Sequence, residues 1–195
     1  MKTVTTILFL LALTLGYSTF RYHLVGNADW SWFALWTTNK AISWTATALL
    51  ALAYLVQDKA EARRLGLTGF FLMAWHGGVS LFLLSPVHYA KLYSGDSLTA
   101  LSFVSMLLGG AGAAAFCLPA WASRGAVKEE LGFDRWLLLQ RLGYAGLALT
   151  ALHCLAIGLP GWLTPSKWQG GLPPITLLGF LTALLPMVRL TRRPN

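Results

Sequence analysis

Acidic residues are scarce in this chain: seven Asp and Glu stand against fifteen Lys and Arg, and charged residues make up only 11% of 195. A soluble domain of this length carries roughly a quarter charged residues, so an ordinary soluble fold is excluded. None of the seven acids lies within an apolar run. A zinc site built only from protein ligands, which wants three or four donors, would find no carboxylate there. Cysteine is almost as rare. Cys117 and Cys154 both sit inside apolar runs, which speaks against a disulfide framework. No connection between runs exceeds about twenty residues, which leaves no room for a soluble domain.

What remains is apolar: 56% of residues are hydrophobic and the mean hydropathy is +0.59. The apolar residues come in runs near the roughly twenty residues that a helix needs to cross a bilayer. Six runs are read, at 3–19, 41–56, 65–84, 98–120, 136–159 and 172–188. The expected fold is an all-α membrane protein, one six-helix transmembrane domain over 1–195. Lys2 precedes the first run as in a signal peptide, but "LTLGYSTF" has no A-x-A-like cleavage site, so a retained helix is expected.

Charge then sets the orientation. With the N-terminus inside, one face receives Lys2, Lys59, Arg63, Arg64, Arg124, Lys128, Arg135, Arg141, Arg189, Arg192 and Arg193. The other receives Arg21, Lys40, Lys91 and Lys167. This asymmetry follows the positive-inside rule and puts both termini in the cytoplasm. The net charge of +8 is therefore topological, and nucleic acid is excluded as a partner. Residues 22–36, "YHLVGNADWSWFALW", read as an interfacial segment on the outer side, because tryptophan favours that zone.

Four histidines occur. His23 and His88 fall at or beyond helix ends, where an exposed histidine needs no explanation. His76 and His153 lie inside runs, where an ionisable group is costly and points to function by default. They end two related stretches, "RLGLTGFFLMAWH" (64–76) and "RLGYAGLALTALH" (141–153). The third and fifth runs both point outward, and each histidine follows its edge arginine, Arg64 or Arg141, by twelve residues. At ~1.5 Å per residue that is about 18 Å into the membrane. Both rings thus lie at one level, in the outer half. Two parallel helices so arranged can ligate the two faces of one haem iron, since histidine is an axial ligand and bundles build cofactor sites between facing helices. The alternative is a neutral histidine bonded across a helix interface.

Gly69 and Gly146 each lie two turns below a histidine. They leave room for a haem or another cofactor, or else let helices pack closely. Thirteen or so residues below the histidines stand Arg63, Ala62, Gln140 and Leu139, so neither helix supplies ligands for a second haem. One haem in the outer half leaves the inner leaflet to be crossed, and a flavin or a quinol could do so. The candidates to hold it are Lys59, Arg63, Arg64, Arg135, Trp136, Gln140 and Arg141, because arginine's planar fork suits phosphate. Ordinary positive-inside anchoring is the alternative reading.

At these residues the chain resembles the STEAP family of transmembrane metalloreductases, within the wider ferric reductase-like group. "GYSTFR" is similar to that family's Tyr-Ser-x-x-Arg segment, and "NKAISWTATALLALAYL" (39–55) to the Asn-Lys opening of its second helix. "RRLGLTGFFLMAWH" and "LQRLGYAGLALTALH" resemble its third and fifth helices, with ten residues from Gly66 to His76 and from Gly143 to His153. "LPP" at 172–174, followed by Pro186, resembles its sixth. The resemblance implies one haem b ligated by His76 and His153. It also implies a flavin, FAD or FMN, between a cytoplasmic donor and the haem, with Gln140 matching the family's flavin-holding glutamine. Fe(III) or Cu(II) would be reduced at the outer face, and family members commonly form trimers. The nicotinamide-binding domain that several animal members carry is not matched in this sequence. The donor would then be a cytoplasmic reductase, a free reduced flavin or quinol, and the expected location is the bacterial inner membrane. The layout also resembles the haem subunit MsrQ, which implies the alternative of a subunit feeding a periplasmic partner enzyme. A non-redox membrane protein with hydrogen-bonded core histidines is the third reading.

Overall fold

The computed structural model describes residues 2–191, with side chains through residue 188. Arg192 and Arg193 and the side chain of Arg189, counted above among the cytoplasmic cations, lie outside the described residues. Six helices follow in order: α1 (Lys2–Thr19), α2 (Thr38–Leu55), α3 (Lys59–Phe82), α4 (Ala100–Ala122), α5 (Gly125–Trp162) and α6 (Ile175–Thr191). Each of the six apolar runs falls on one of them. The main differences lie at helix starts. α3 begins early because the Asp58 carboxylate caps it, accepting from the Glu61 N–H at 2.8 Å. α5 begins early because a polar turn precedes its apolar stretch; Gly132, at φ 73°, breaks the helix between the two. That conformation is open to glycine and rare for other residues.

Five of the six helices are long and apolar enough to cross a membrane. The exception is α2, and packing explains why. It carries Asn39, Lys40, Thr45 and Thr47, but Asn39, Thr45 and Thr47 are buried, along with Ala46, Leu49, Leu50 and Ala51. α1, α3 and α6 all pack on it. A helix screened from lipid by its neighbours need not be apolar all round. The outward surface is apolar instead, with Phe71, Phe82, Phe103, Leu107 and Leu138 exposed. Such a surface suits lipid, whose acyl chains are as apolar as these side chains. Hydroxyls hide within their own helices: Ser18, Thr47, Thr150 and Thr182 each donate to the carbonyl four residues back.

The dominant packing is within two helical hairpins, α2–α3 and α4–α5, with α6 joining α5 to α2. The core at their junction contains Leu50, Ala51, Phe116, Leu147, Ala151 and Ala183. α3 and α5 share no extended packing with each other. The bundle has two chemically distinct ends. At one, Tyr17 donates to Pro173 O, Arg21 to Leu172 O and Trp36 to His88 O, gathering the α1–α2, α3–α4 and α5–α6 connections. The expected interfacial segment lies here as π-helical and 3₁₀ turns at Phe20–Leu24, Trp30–Trp32 and Phe33–Thr37. At the other end Arg63 Nε donates to Ser123 O at 2.7 Å and ties the α2–α3 turn to the α4–α5 turn. These are called the tryptophan end and the basic end below.

The paired glycines answer to packing. A Cβ at Gly69 would lie 3.0 Å from Leu50 N and 3.1 Å from Ala46 O, backbone atoms that cannot yield. One at Gly66 would meet only Ala53 Cβ, at an ordinary 3.4 Å. Gly69→Ala is therefore expected to destabilise the protein by about 1–3 kcal/mol. Gly66→Ala should be neutral or stabilising by up to about 1 kcal/mol, through helix propensity. Thermal unfolding of both variants in detergent checks the pair; equal melting temperatures would contradict this packing.

Candidate functional site

His76 projects from α3 and His153 from α5, the two long helices that do not pack together. Each ring is held from the preceding helix of its own hairpin. His153 Nδ1 lies 2.7 Å from the Ser105 carbonyl oxygen of α4 and 3.0 Å from the Ser105 hydroxyl. His76 Nδ1 lies 3.1 Å from Asn39 Oδ1 of α2. The Asn39 Nδ2 in turn donates to Ser80 Oγ at 2.9 Å.

These contacts decide the tautomer. A carbonyl oxygen only accepts, so Nδ1 must carry the proton, and a neutral imidazole then keeps its lone pair on Nε2. The same holds for His76 with Asn39 Oδ1 turned toward the ring. Gly109 makes the second contact possible: a Cβ there would lie 2.9 Å from His153 Nδ1 and 3.2 Å from Cε1. Asn39, Ser105 and Gly109 were not among the residues expected at the site. The available signals were a buried-type amide opening a helix and a hydroxyl one helical turn before a glycine in an otherwise apolar run.

The chemistry of this donor set fits a haem. Two imidazoles offer Nε2, and among the described residues no group of three or more His, Cys, Asp or Glu gathers around a common point. A metal held here would need its remaining donors from a ligand of its own, as a porphyrin provides. The two glycines expected to leave cofactor space do not do so. The space beside Gly69 is filled by Leu50 and the α2 backbone, and that beside Gly146 by the Phe116 ring, 2.7 Å from where a Cβ would stand. Both serve close helix packing, because small residues let backbones approach.

A second feature lies at the basic end, where a cavity of about 390 Å³ opens between α2, α3, α4 and α5. Four of the expected inner-side residues line it: Lys59, Arg63, Trp136 and Gln140. Tyr54 and Lys128 join them. Gln140 donates Nε2 to Pro119 O and Trp136 donates Nε1 to Ala122 O, capping carbonyls at the end of α4. The Lys128 ammonium lies 5.1 Å from the Trp136 ring centre. Arg64, Arg135 and Arg141 are exposed and do not line the cavity. Helical phase explains this: they share helices with lining residues but occupy other faces.

Of the remaining histidines, His88 lies in a loop as expected and His23 differs. His23 is buried, stacked on Trp30 at 4.5 Å and bonded through Nε2 to Thr37 Oγ1 at 2.7 Å. It pins the turns after α1. His88 bonds the Ser85 hydroxyl at 3.1 Å within its own loop. No protein-family model matches this chain, and no curated protein matches it significantly.

The tautomers can be read directly. Imidazole ¹⁵N shifts of His76 and His153 are expected to report protonated Nδ1 and bare Nε2 in the ligand-free protein. Gly109→Ala should abolish that preference at His153 and leave His76 unchanged. An Nε2–H signal at both rings of the unmodified protein would contradict the geometry.

Proposed function

We propose that the chain is a membrane-embedded oxidoreductase that passes single electrons from a donor at the basic end to an acceptor at the tryptophan end, using one haem b. The observation that carries this reading is the pair of imidazoles on two helices not packed on each other, each with Nδ1 engaged and Nε2 left to ligate. The resemblance of the two Arg-Leu-Gly…His stretches to the STEAP-type helices supports it. A haem ligated by His76 and His153 would supply a one-electron iron couple within the membrane.

The chain's own residues do the rest. Asn39 and the Ser105 carbonyl fix each ring's tautomer and strengthen its Nε2 as a donor, the role that outer partners of ligating histidines play generally. The basic cavity gathers cations from two helices beside the planar faces of Trp136 and Tyr54. This combination suits an anionic, aromatic donor, and a flavin phosphate is matched by Arg63, Lys59 and Lys128. A quinol would use the aromatic walls and leave the cations idle, so the flavin, FMN or FAD, is the donor favoured here. At the opposite end the acceptor is a ferric or cupric complex. By positive-inside logic the basic end is cytoplasmic and the location is the bacterial inner membrane.

Two measurements test the proposal. The purified protein should show a reduced-minus-oxidised haem b spectrum, and His76→Ala and His153→Ala should each abolish it. A full band in both variants, or a colourless folded protein from haem-replete cells, would overturn it. For the donor, Lys128→Ala should weaken FMN binding about tenfold in a fluorescence titration, the loss of one charge-assisted contact. Unchanged FMN affinity would contradict the assignment of the cavity.

A further inference from the structure

Among the described residues, three cations at the tryptophan end have no anionic partner. Arg21 is 6% exposed and donates Nη1 to Leu172 O at 2.8 Å, while its Nε is buried without any hydrogen-bond partner. Lys40, at the start of α2, points its ammonium at aromatic faces: Trp36 at 4.0 Å, Tyr22 at 5.2 Å and Tyr89 at 5.4 Å. The Arg21 guanidinium lies over the same Tyr22 ring at 5.4 Å. Lys91 lies two residues beyond Tyr89, in the turn Ala90–Leu92 that follows the ring facing Lys40. Among the described residues no carboxylate pairs with any of the three.

Such a cluster is costly. Desolvating one charge is expensive, and like charges add repulsion. Aromatic faces return about 0.5–2 kcal/mol for a cation, which covers Lys40 in part and leaves the mutual repulsion standing. The Lys91 ammonium lies outside the spans, and desolvation, followed by the Arg21 charge, pushes it below the ordinary lysine value. The cluster is thus arranged to receive negative charge. Its position says which. Lys40 follows Asn39, the residue that holds His76, at the start of α2. The cations therefore border the histidine site on its tryptophan-end side.

We propose that Arg21, Lys40 and Lys91 form a carboxylate-binding site that takes the two propionate groups of the haem and thereby fixes which way round it is held. This rests on the haem reading above. Two carboxylates against three cations leave a small positive excess, and charge-assisted hydrogen bonds satisfy the buried Arg21 Nε. The excess favours the more negative, reduced state of the bound group, so the site also raises its reduction potential.

The test compares protohaem with its dimethyl ester, which has the same ring and iron but no carboxylate. Full-length protein produced without haem is titrated with each, and binding is followed by the Soret band. The unmodified chain is expected to bind protohaem at least about tenfold more tightly than the ester, the scale of an uncompensated buried charge. In Arg21→Gln/Lys40→Gln that ratio should fall to about one. In Lys91→Gln, where the side chain is exposed, it should fall part of the way. The potential of the protohaem form should drop with each cation removed. Equal affinities in the unmodified chain, or a Lys91→Gln ratio and potential identical to the unmodified values, would overturn this inference and leave the haem reading intact. No Soret shift with either compound would overturn both.

Discussion

A neutral imidazole inside a membrane bundle has one nitrogen that must donate and one that can only accept, and the fold depends on where the donor goes. Here it goes to the neighbouring helix in both cases. Ser105 O takes it from His153 and Asn39 Oδ1 takes it from His76. Each contact is internal to a hairpin, α4–α5 or α2–α3, so each hairpin fixes the direction of its own ring. The glycines enforce this. Gly109 lets His153 reach a backbone carbonyl, while Gly69 and Gly146 let the paired helices close to the spacing that the contacts need.

The two hairpins meet through a shared core of Leu50, Ala51, Phe116, Leu147 and Ala151, while α3 and α5 stay apart. α6 bridges the hairpins. Polarity is divided along the same axis. One end presents a basic cavity with an indole and a phenol in its walls; the other presents three cations among tryptophan and tyrosine rings. In the proposed function, a lone pair offered from each hairpin, with positive charge at both ends of the bundle, serves a flat, anionic, metal-bearing cofactor. It suits an aliphatic ligand poorly. In the proposed account the two ends have different roles. The basic cavity meets a donor, and the opposite cluster holds the cofactor's acidic edge.

Much of this is legible in the sequence. Hydrophobic runs place all six helices, because lipid-facing segments must be apolar over a bilayer's thickness. The repeated Arg-Leu-Gly…His spacing puts His76 and His153 at one level, and the inner-side reading finds Lys59, Arg63, Trp136 and Gln140. What stays hidden is lateral. Sequence spacing gives depth along a helix but not which neighbour each face meets. That is why Gly69 and Gly146 read as cofactor clearance, and why Arg64, Arg135 and Arg141 group with residues that line the cavity. Asn39 and Ser105 escape notice for the same reason: their role depends on partners 37 and 48 residues away. His23 reads as exposed because its loop folds back as helical turns that only tertiary contacts stabilise.

The central claim is that two rings, one from each hairpin, present Nε2 to a single iron. Low-temperature electron paramagnetic resonance of the oxidised, purified protein, with the haem quantified per chain, addresses it most directly. The account predicts one haem per chain, with a low-spin ferric signal characteristic of two neutral imidazole ligands. A high-spin signal, or a low-spin signal that persists when His76 or His153 is replaced by alanine, would contradict it.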